Sequence, residues 1–260
     1  MFVSHETRSG TTRSTPTGDE VGCVFLSSDS DWVVAARRSG WHWLHLPSGR
    51  SRLISRPEQS GPRCRFNDGA VDARGRIWTG TLEDGEQRPV GNLYRLDPDF
   101  HAHTMDEGFL CSNGIDWSAD GEWLFFVDSR RDAIFRYRFD VDTGRIGERE
   151  LFVDTREFAG IPDGIAVDAE GLLWCAFWDG AALMAFASDG KPVFTVPVPA
   201  VRPTSLCFGG PEMKTIFVTS ATVGLSEAEL SRSPASGSTF VIESETEGRP
   251  AGIFGGEVPV

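Results

Sequence analysis

The chain has 260 residues, 40% of them hydrophobic, and 8 tryptophans, enough apolar material for one large domain or two smaller ones. Its net charge of -13 at pH 7 argues against nucleic acid or an anionic membrane as a partner, and no apolar run is long enough to span a bilayer. Its 5 cysteines lack a Cys-x-x-Cys pair, which favours reduced thiols on strands and a cytoplasmic protein over a disulfide framework or a zinc knuckle.

One sequence pattern recurs at intervals of roughly 40–50 residues. It consists of a short apolar strand, a polar turn, an aromatic-rich strand and a third strand. The copies begin in chain order at Val24, Ala70, Ile115, Ile165 and Leu206. A turn of the form Asp-x-x-Gly suits a hairpin because glycine tolerates a positive φ. The spacing is typical of the four-stranded blades of a β-propeller, and residues 225–230 are the single short candidate for a helix.

A short polar corner precedes each copy at the same phase of the repeat. The corners are Asp19-Glu20-Val21-Gly22, Asn67-Asp68-Gly69, Ser112-Asn113-Gly114, Pro162-Asp163-Gly164 and Pro203-Thr204-Ser205. Equivalent positions of propeller blades form a ring, so we expect these side chains to converge at one channel mouth. One such corner alone indicates a turn residue that bonds its own backbone. Several at one phase predict oxygen ligands for a hard divalent cation such as Ca²⁺, Mg²⁺ or Mn²⁺.

The far ends of the first strands carry a second set of acidic residues. Asp72, Asp120 and Asp168 lie in the predicted hairpin turns, away from the corners. Carboxylates in such turns accept hydrogen bonds from nearby backbone N–H groups. We therefore predict a structural role for these three residues.

The corners resemble the signature segments of the gluconolactonase/regucalcin family, which includes senescence-marker protein and sugar lactone lactonases. The matching segments are Arg65-Phe66-Asn67-Asp68-Gly69, Ser112-Asn113-Gly114-Ile115-Asp116-Trp117, Ile161-Pro162-Asp163-Gly164 and Arg202-Pro203-Thr204-Ser205. The resemblance implies an all-β, six-bladed β-propeller with one divalent metal cation, which is Ca²⁺, Zn²⁺, Mn²⁺ or Mg²⁺. It also implies a metal-dependent hydrolase that opens small sugar lactones (aldonolactones) to aldonic acids.

The resemblance further implies roles for individual side chains. Asn113 and Asp163 correspond to metal ligands, and Asp163 is also the expected general base. Arg65 and Asn67 correspond to a pair that contacts substrate, although a surface ion pair is the alternative explanation for Arg65. A further substrate contact is a glutamate after the Gly80-Thr81-Leu82 segment, for which Glu83 is the candidate and Glu86 the alternative.

The start of the chain departs from the family pattern. The resemblance requires a Gly-Glu-Gly-Pro-x-Trp-like segment with a third, glutamate ligand, and that segment does not occur. Glu20 lies at the wrong phase to replace it. We therefore expect a single domain over residues 1–260 that is truncated at its N-terminus, with residues 1–17 as the remnant of an incomplete first blade. Two alternatives remain, a non-catalytic divalent-metal-binding propeller like regucalcin and an inactive truncated family member, and the oligomeric state is not predicted.

Overall fold

The computed structural model describes residues 1–6, 9–57 and 64–259. Almost all of the regular structure in these ranges is β-strand. The chain divides into two compact units, one made of Met1–Phe109 with Gly252–Val260 and the other of Leu110–Ala251. The single domain over residues 1–260 therefore stays a prediction.

The first unit contains a hairpin and two larger antiparallel sheets. The hairpin pairs β1 (Phe2–Glu6) with β2 (Thr11–Thr15). Its turn residues Thr7 and Arg8 lie outside the described residues, and its interpretation as the remnant of a blade stays a prediction.

Each larger sheet of the first unit corresponds to one copy of the repeat. Sheet 1 is formed by β3 (Val21–Ser27), β4 (Trp32–Arg37), β5 (Gly40–His45) and β6 (Ser51–Ser55). Sheet 2 is formed by β7 (Cys64–Val71), β8 (Ile77–Glu83), β9 (Gly91–Leu96) and β10 (Ala102–Phe109).

The second unit contains the remaining three copies. Sheet 3 is formed by β11 (Ser112–Trp117), β12 (Trp123–Asp128), β13 (Ala133–Asp140), β14 (Arg145–Ile146) and β15 (Glu150–Asp154), with a 3-10 turn at Ser129–Arg131. Sheet 4 is formed by β16 (Ile161–Val167), β17 (Leu173–Trp178), β18 (Ala182–Phe186) and β19 (Pro192–Pro197). Sheet 5 is formed by β20 (Pro203–Gly209), β21 (Thr215–Ser220) and β22 (Phe240–Glu243).

Two short elements complete the described chain. The helix α1 (Glu227–Arg232) lies between β21 and β22, and β23 (Ile253–Phe254) pairs in parallel with β3 of the first unit. The predicted helical segment at 225–230 is thus confirmed with a small shift. Ser226 is the N-cap, and it exchanges hydrogen bonds with Glu229 in a capping box, so the helix begins after it. No helix in the described ranges is long and apolar enough to cross a membrane.

The second strand of each sheet supplies much of the core. Strands β8 and β12 are runs of almost uninterrupted buried residues, as expected for strands with neighbours on both edges and cover on both faces. In the first unit Trp41 stacks on Phe66 with ring centroids 4.5 Å apart, and the Trp41 indole N–H donates to Thr79 Oγ1 at 3.1 Å. The 5 cysteines are free thiols, as the lack of Cys-x-x-Cys spacing predicts.

The hairpin aspartates have the predicted structural role. Asp168 is fully buried, and its carboxylate accepts from the Trp174 indole N–H at 2.9 Å and from the backbone N–H groups of Glu170 and Leu172. Asp72 makes the same bond to the Trp78 indole at 2.8 Å. Each carboxylate therefore fixes both the turn and a core tryptophan six residues later.

Asp120 is structural but is not equivalent to these two aspartates. Gly75, Gly121 and Gly171 all have positive φ and align the three turns. In this alignment Ser118 takes the place of Asp72 and Asp168. The Ser118 hydroxyl accepts from Trp123 N at 3.0 Å, and Asp120 caps the turn from the exposed side by accepting from Ser118 Oγ at 2.5 Å.

Candidate functional site

The polar corners are β-bulges. In all five first strands the pairing with the next strand shifts register at the corner, between Val21 and Cys23, Phe66 and Gly69, Ser112 and Ile115, Pro162 and Ile165, and Pro203 and Ser205. A bulge takes residues out of the hydrogen-bonded ladder and re-aims their side chains. The sequence folds this way because glycine follows the polar residue at several corners and lets neighbouring backbones approach.

Glycine brings the Asn113 and Asp163 corners of the second unit into contact. A Cβ atom on Gly114 would lie 2.8 Å from the Asp163 carbonyl oxygen and 2.5 Å from the Ile165 nitrogen. At the next corner, a Cβ atom on Gly164 would lie 2.7 Å from the Ser205 Cα atom. Asn113 and Asp163 therefore occupy adjoining backbone segments, as expected for two residues that share a ligand.

A side chain at position 114 should separate these corners. We expect Gly114→Ala to lower the free energy of unfolding by about 3 kcal/mol, because the new methyl group meets backbone atoms that cannot rotate away. Urea unfolding measures this change. Gly85→Ala is the matched control, since the nearest atom to its added methyl group is Gln87 Cγ at 3.8 Å. Equal losses for the two variants would contradict the close approach of the corners.

Hydrogen bonds define the orientation of the Asn113 amide. Its Nδ2 donates to Ser129 Oγ at 2.9 Å, and Ser129 Oγ donates to the Pro162 carbonyl oxygen at 2.6 Å. The Asn113 Oδ1 atom is consequently turned away from Ser129. An amide oxygen and the Asp163 carboxylate are both hard oxygen donors, and two such donors fit a divalent cation that keeps water as its other ligands.

The surroundings of Asp163 favour oxygen ligands over sulfur. Burial raises the pKa of the neighbouring Cys175 thiol well above its ordinary value, and the charge of Asp163 acts in the same direction. The thiol therefore remains protonated and is a poor ligand for a soft metal. Among residues 1–6, 9–57 and 64–259, no group of three His, Cys, Asp or Glu side chains is arranged to hold a metal ion.

Arg65 and Asn67 lie together in the corner of β7, in the first unit. The Arg65 Nη1 atom donates to Asn67 Oδ1 at 2.9 Å and to the Phe66 carbonyl oxygen at 3.2 Å. Both side chains are half-buried. The guanidinium also lies 3.6 Å from Glu20 Oε1, so the ion pair considered as the alternative for Arg65 is present beside the predicted substrate contact.

Glu83 and its neighbour Asp84 have different environments. The Glu83 carboxylate is buried and accepts from Arg88 Nε at 2.9 Å. Asp84 is exposed, and its Oδ1 atom lies 4.0 Å from Arg65 Nε. The acidic residue nearest to the Arg65 head group in this loop is therefore Asp84, while the predicted contact Glu83 pairs with an arginine of its own loop.

Arg38 connects Glu20, which belongs to the first corner, with Asp84, which the sequence pattern did not assign to the site. It forms a bidentate pair with Asp84, at 2.7 and 3.2 Å, and bonds Glu20 at 2.6 Å. These partners raise the pKa of Arg38 above its usual value. The sequence signal was weak because Arg38 and Asp84 occupy hairpin turns on different sheets, where charged residues are usually solvated.

Asp68 is a carboxylate with limited solvation in the same corner as Asn67. It is half-buried and accepts from Gly69 N at 2.7 Å, and burial raises its pKa to about 6. A carboxyl whose pKa is higher in the folded state than in the unfolded state destabilises the fold once it ionises. The contribution of Asp68 to stability should therefore decrease as the pH rises from about 4 to about 6.

Asp68→Asn should remove this pH dependence. We expect the variant to unfold with a free energy about 1–2 kcal/mol higher at pH 7, because no buried charge remains. Urea unfolding from pH 3 to pH 8 measures the effect, with the exposed Asp31→Asn as control. The same pH dependence of stability in the wild type and in Asp68→Asn would contradict the assignment.

Three comparisons with known proteins identify relatives. Residues 2–222 match the family model described as SMP-30/Gluconolactonase/LRE-like region. A 6-deoxy-6-sulfogluconolactonase from Pseudomonas putida is 33% identical over 253 residues, 96% of this chain and 85% of that protein. A protein from Sulfolobus acidocaldarius is 40% identical over 160 residues, which cover 61% of this chain and only 58% of that protein.

A solved structure has the same fold. The calcium-binding protein regucalcin from Agrobacterium tumefaciens superimposes with a TM-score of 0.92 at 26% identity, covering 97% of this chain and 85% of that one. The predicted all-β propeller is confirmed, with five blades recognised, whereas six blades and an incomplete first blade stay predictions. The match of the family model to residues 2–222 places this chain in the SMP-30/gluconolactonase/LRE-like family.

Proposed function

We propose that this protein is a hydrolase that opens sugar lactones to aldonic acids and that it depends on a divalent cation. The main structural support is the contact between the Asn113 and Asp163 corners, which puts two oxygen donors in adjoining bulges. The relative from Pseudomonas putida is a lactonase of a substituted gluconolactone, and it matches 96% of this chain. A small sugar lactone is accordingly the proposed substrate.

Asn113 Oδ1 and the Asp163 carboxylate are the proposed ligands of the cation. The cation can be Ca²⁺, Zn²⁺, Mn²⁺ or Mg²⁺. The hard oxygen donors favour Ca²⁺, Mn²⁺ and Mg²⁺ within this set. When bound, such an ion supplies Lewis-acid polarisation of a carbonyl group and lowers the pKa of water.

The side chains of this chain have complementary roles in the proposed reaction. Asp163 accepts a proton from the water that adds to the lactone carbonyl, and the proton is returned to the ring oxygen as the ester bond breaks. In the first unit, Arg65 and Asn67 are the proposed hydrogen-bond donors to substrate, and the Arg65 guanidinium is suited to stabilise negative charge on an oxygen. Glu83 is a further proposed substrate contact, and its Oε1 atom is already paired with Arg88.

A non-catalytic cation-binding function is the second candidate. It is favoured by the structural similarity to the calcium-binding protein regucalcin. A cation store needs only the ligands in the Asn113 and Asp163 corners. The paired guanidinium and amide of Arg65 and Asn67 offer donors that such a store does not require, and for this reason we prefer the lactonase.

Acid release from a panel of aldonolactones tests the proposed function. The panel contains glucono-, galactono-, arabinono- and xylonolactone, each with Ca²⁺, Zn²⁺, Mn²⁺ or Mg²⁺ and with EDTA, and a pH indicator reports the product. We expect hydrolysis of at least one lactone above the spontaneous rate, reduced at least tenfold by EDTA. Metal binding without hydrolysis would favour the second candidate, and neither binding nor hydrolysis would contradict both.

A further inference from the structure

Ser129 lies against the Asn113 and Asp163 corners although it belongs to neither. It follows β12 and opens the 3-10 turn, and it is 6% exposed. Its backbone N–H donates to the Cys111 carbonyl oxygen at 3.0 Å. The preceding residue, Asp128, is fully buried and accepts from the Cys111 backbone N–H at 2.9 Å. The backbone bond of Ser129 and the bond to the Asp128 carboxylate therefore both attach this segment to Cys111 and fix the position of the Ser129 hydroxyl.

The Ser129 hydroxyl uses its single proton in a hydrogen bond to the backbone of β16. Its acceptor is the carbonyl oxygen of Pro162, the residue immediately before Asp163, at 2.6 Å. A hydroxyl has one proton to donate and two lone pairs to accept with. Toward Asn113 the hydroxyl can consequently only accept.

This restriction selects which end of the Asn113 amide faces Ser129. The amide nitrogen can donate to the hydroxyl, as it does at 2.9 Å, whereas the amide oxygen would face a lone pair. The oxygen is then presented on the opposite side of the amide group. An amide can coordinate a hard cation only through its oxygen, so the orientation decides whether Asn113 is a ligand.

We propose that Ser129 is a positioning residue that orients Asn113 and joins the Asn113 and Asp163 corners for cation binding. This inference rests on the proposed metal site. One hydroxyl bridges the two corners, donating to the residue before Asp163 and accepting from Asn113. Partners of metal ligands typically change metal affinity by about 10–100-fold when they are removed.

Isothermal titration with Mn²⁺ tests the proposal without measuring activity. We expect Ser129→Ala to bind Mn²⁺ about 10–100-fold more weakly than the wild type. Ser129→Thr, which keeps the hydroxyl, should recover most of the affinity. Ser118→Ala is the matched control, because it removes a hydroxyl from the turn at the opposite end of the same β11–β12 hairpin.

Measuring Ser129→Ala in an Asn113→Asp variant distinguishes two roles of Ser129, orienting the Asn113 amide and stabilising the two corners in general. A carboxylate presents an oxygen in either orientation, so Ser129→Ala should weaken Mn²⁺ binding less than threefold when Asn113 is replaced by Asp. Equal losses in the two backgrounds would overturn the orienting role, and so would a Ser129→Ala affinity within twofold of the wild type. A wild type that binds no Mn²⁺ would overturn it as well. A wild type that binds Mn²⁺ but hydrolyses no lactone would overturn only the lactonase proposal.

Discussion

Asp163→Asn is expected to lower kcat/KM for the preferred aldonolactone by about 10³-fold. The substitution keeps the size of the side chain and one oxygen donor. It removes the group that accepts a proton from water, and it removes the negative charge that holds the cation. Because Asp163 lies in a bulge outside the β16–β17 ladder, the free energy of unfolding should change little. The pH-indicator assay of acid release measures the loss.

The control for this experiment is an aspartate of the same sheet. Asp189 lies in the exposed turn between β18 and β19, where it pairs with Lys191 at 2.6 Å. Asp189→Asn should have wild-type kinetics. Full activity of Asp163→Asn would show that the catalytic centre has been assigned to the wrong corner.

Asp168→Ala is expected to have the largest effect on stability, a loss of about 4 kcal/mol in the free energy of unfolding. The substitution leaves the Trp174 indole N–H and the backbone N–H groups of Glu170 and Leu172 without their acceptor. Asp168 and Trp174 are both buried, so water cannot replace the lost bonds without opening the core. Chemical denaturation followed by tryptophan fluorescence measures the change.

Asp120→Ala is the comparison for the hairpin aspartates. Its carboxylate is exposed and caps the turn that is equivalent to the Asp168 turn, so we expect a much smaller loss. A loss equal to that of Asp168→Ala would mean that turn geometry, and not the buried indole bond, determines the stability.

The sequence was sufficient to predict the strands because the apolar pattern recurs in every copy and a glycine-containing turn supports it in the three central copies. Gly75 and Gly171 take the positive φ that the Asp-x-x-Gly spacing predicts, and Gly121 takes it in a Ser-x-x-Gly turn. The equivalence of Asp120 with Asp72 and Asp168 was wrong, because it compared residue type and not distance from the glycine. When the turns are aligned on the glycine, the residue three before it correlates with the residue six positions further along the chain. Asp72 and Asp168 are followed in this way by Trp78 and Trp174. In the third copy Ser118 takes the place of the aspartate and Leu124 that of the tryptophan.

The candidate site could be predicted only in part. The contact between the Asn113 and Asp163 corners followed from the repeat, since equivalent corners fall on neighbouring strands. Ser129 could not be found in this way because it lies at the end of a second strand, and only the three-dimensional hydrogen bonds connect it to both corners. Glu83 and Asp84 are adjacent in sequence, yet alternate residues of a strand end face opposite sides. The sequence comparison gave Glu83 and Glu86 as candidates, whereas the carboxylate that lies 4.0 Å from Arg65 Nε is that of Asp84.

In each bulge, the residues that hold the sheet together are different from the residue that carries the candidate-site side chain. Ladder bonds on either side of a corner hold each sheet in register, and the corner residue itself contributes little to them. New substrate preferences can therefore arise by exchanging the proposed substrate contact at position 67, while the scaffold and the proposed cation ligands at positions 113 and 163 are preserved. A saturation library at position 67 should contain mostly folded variants, which makes this corner the natural starting point for redesigning specificity.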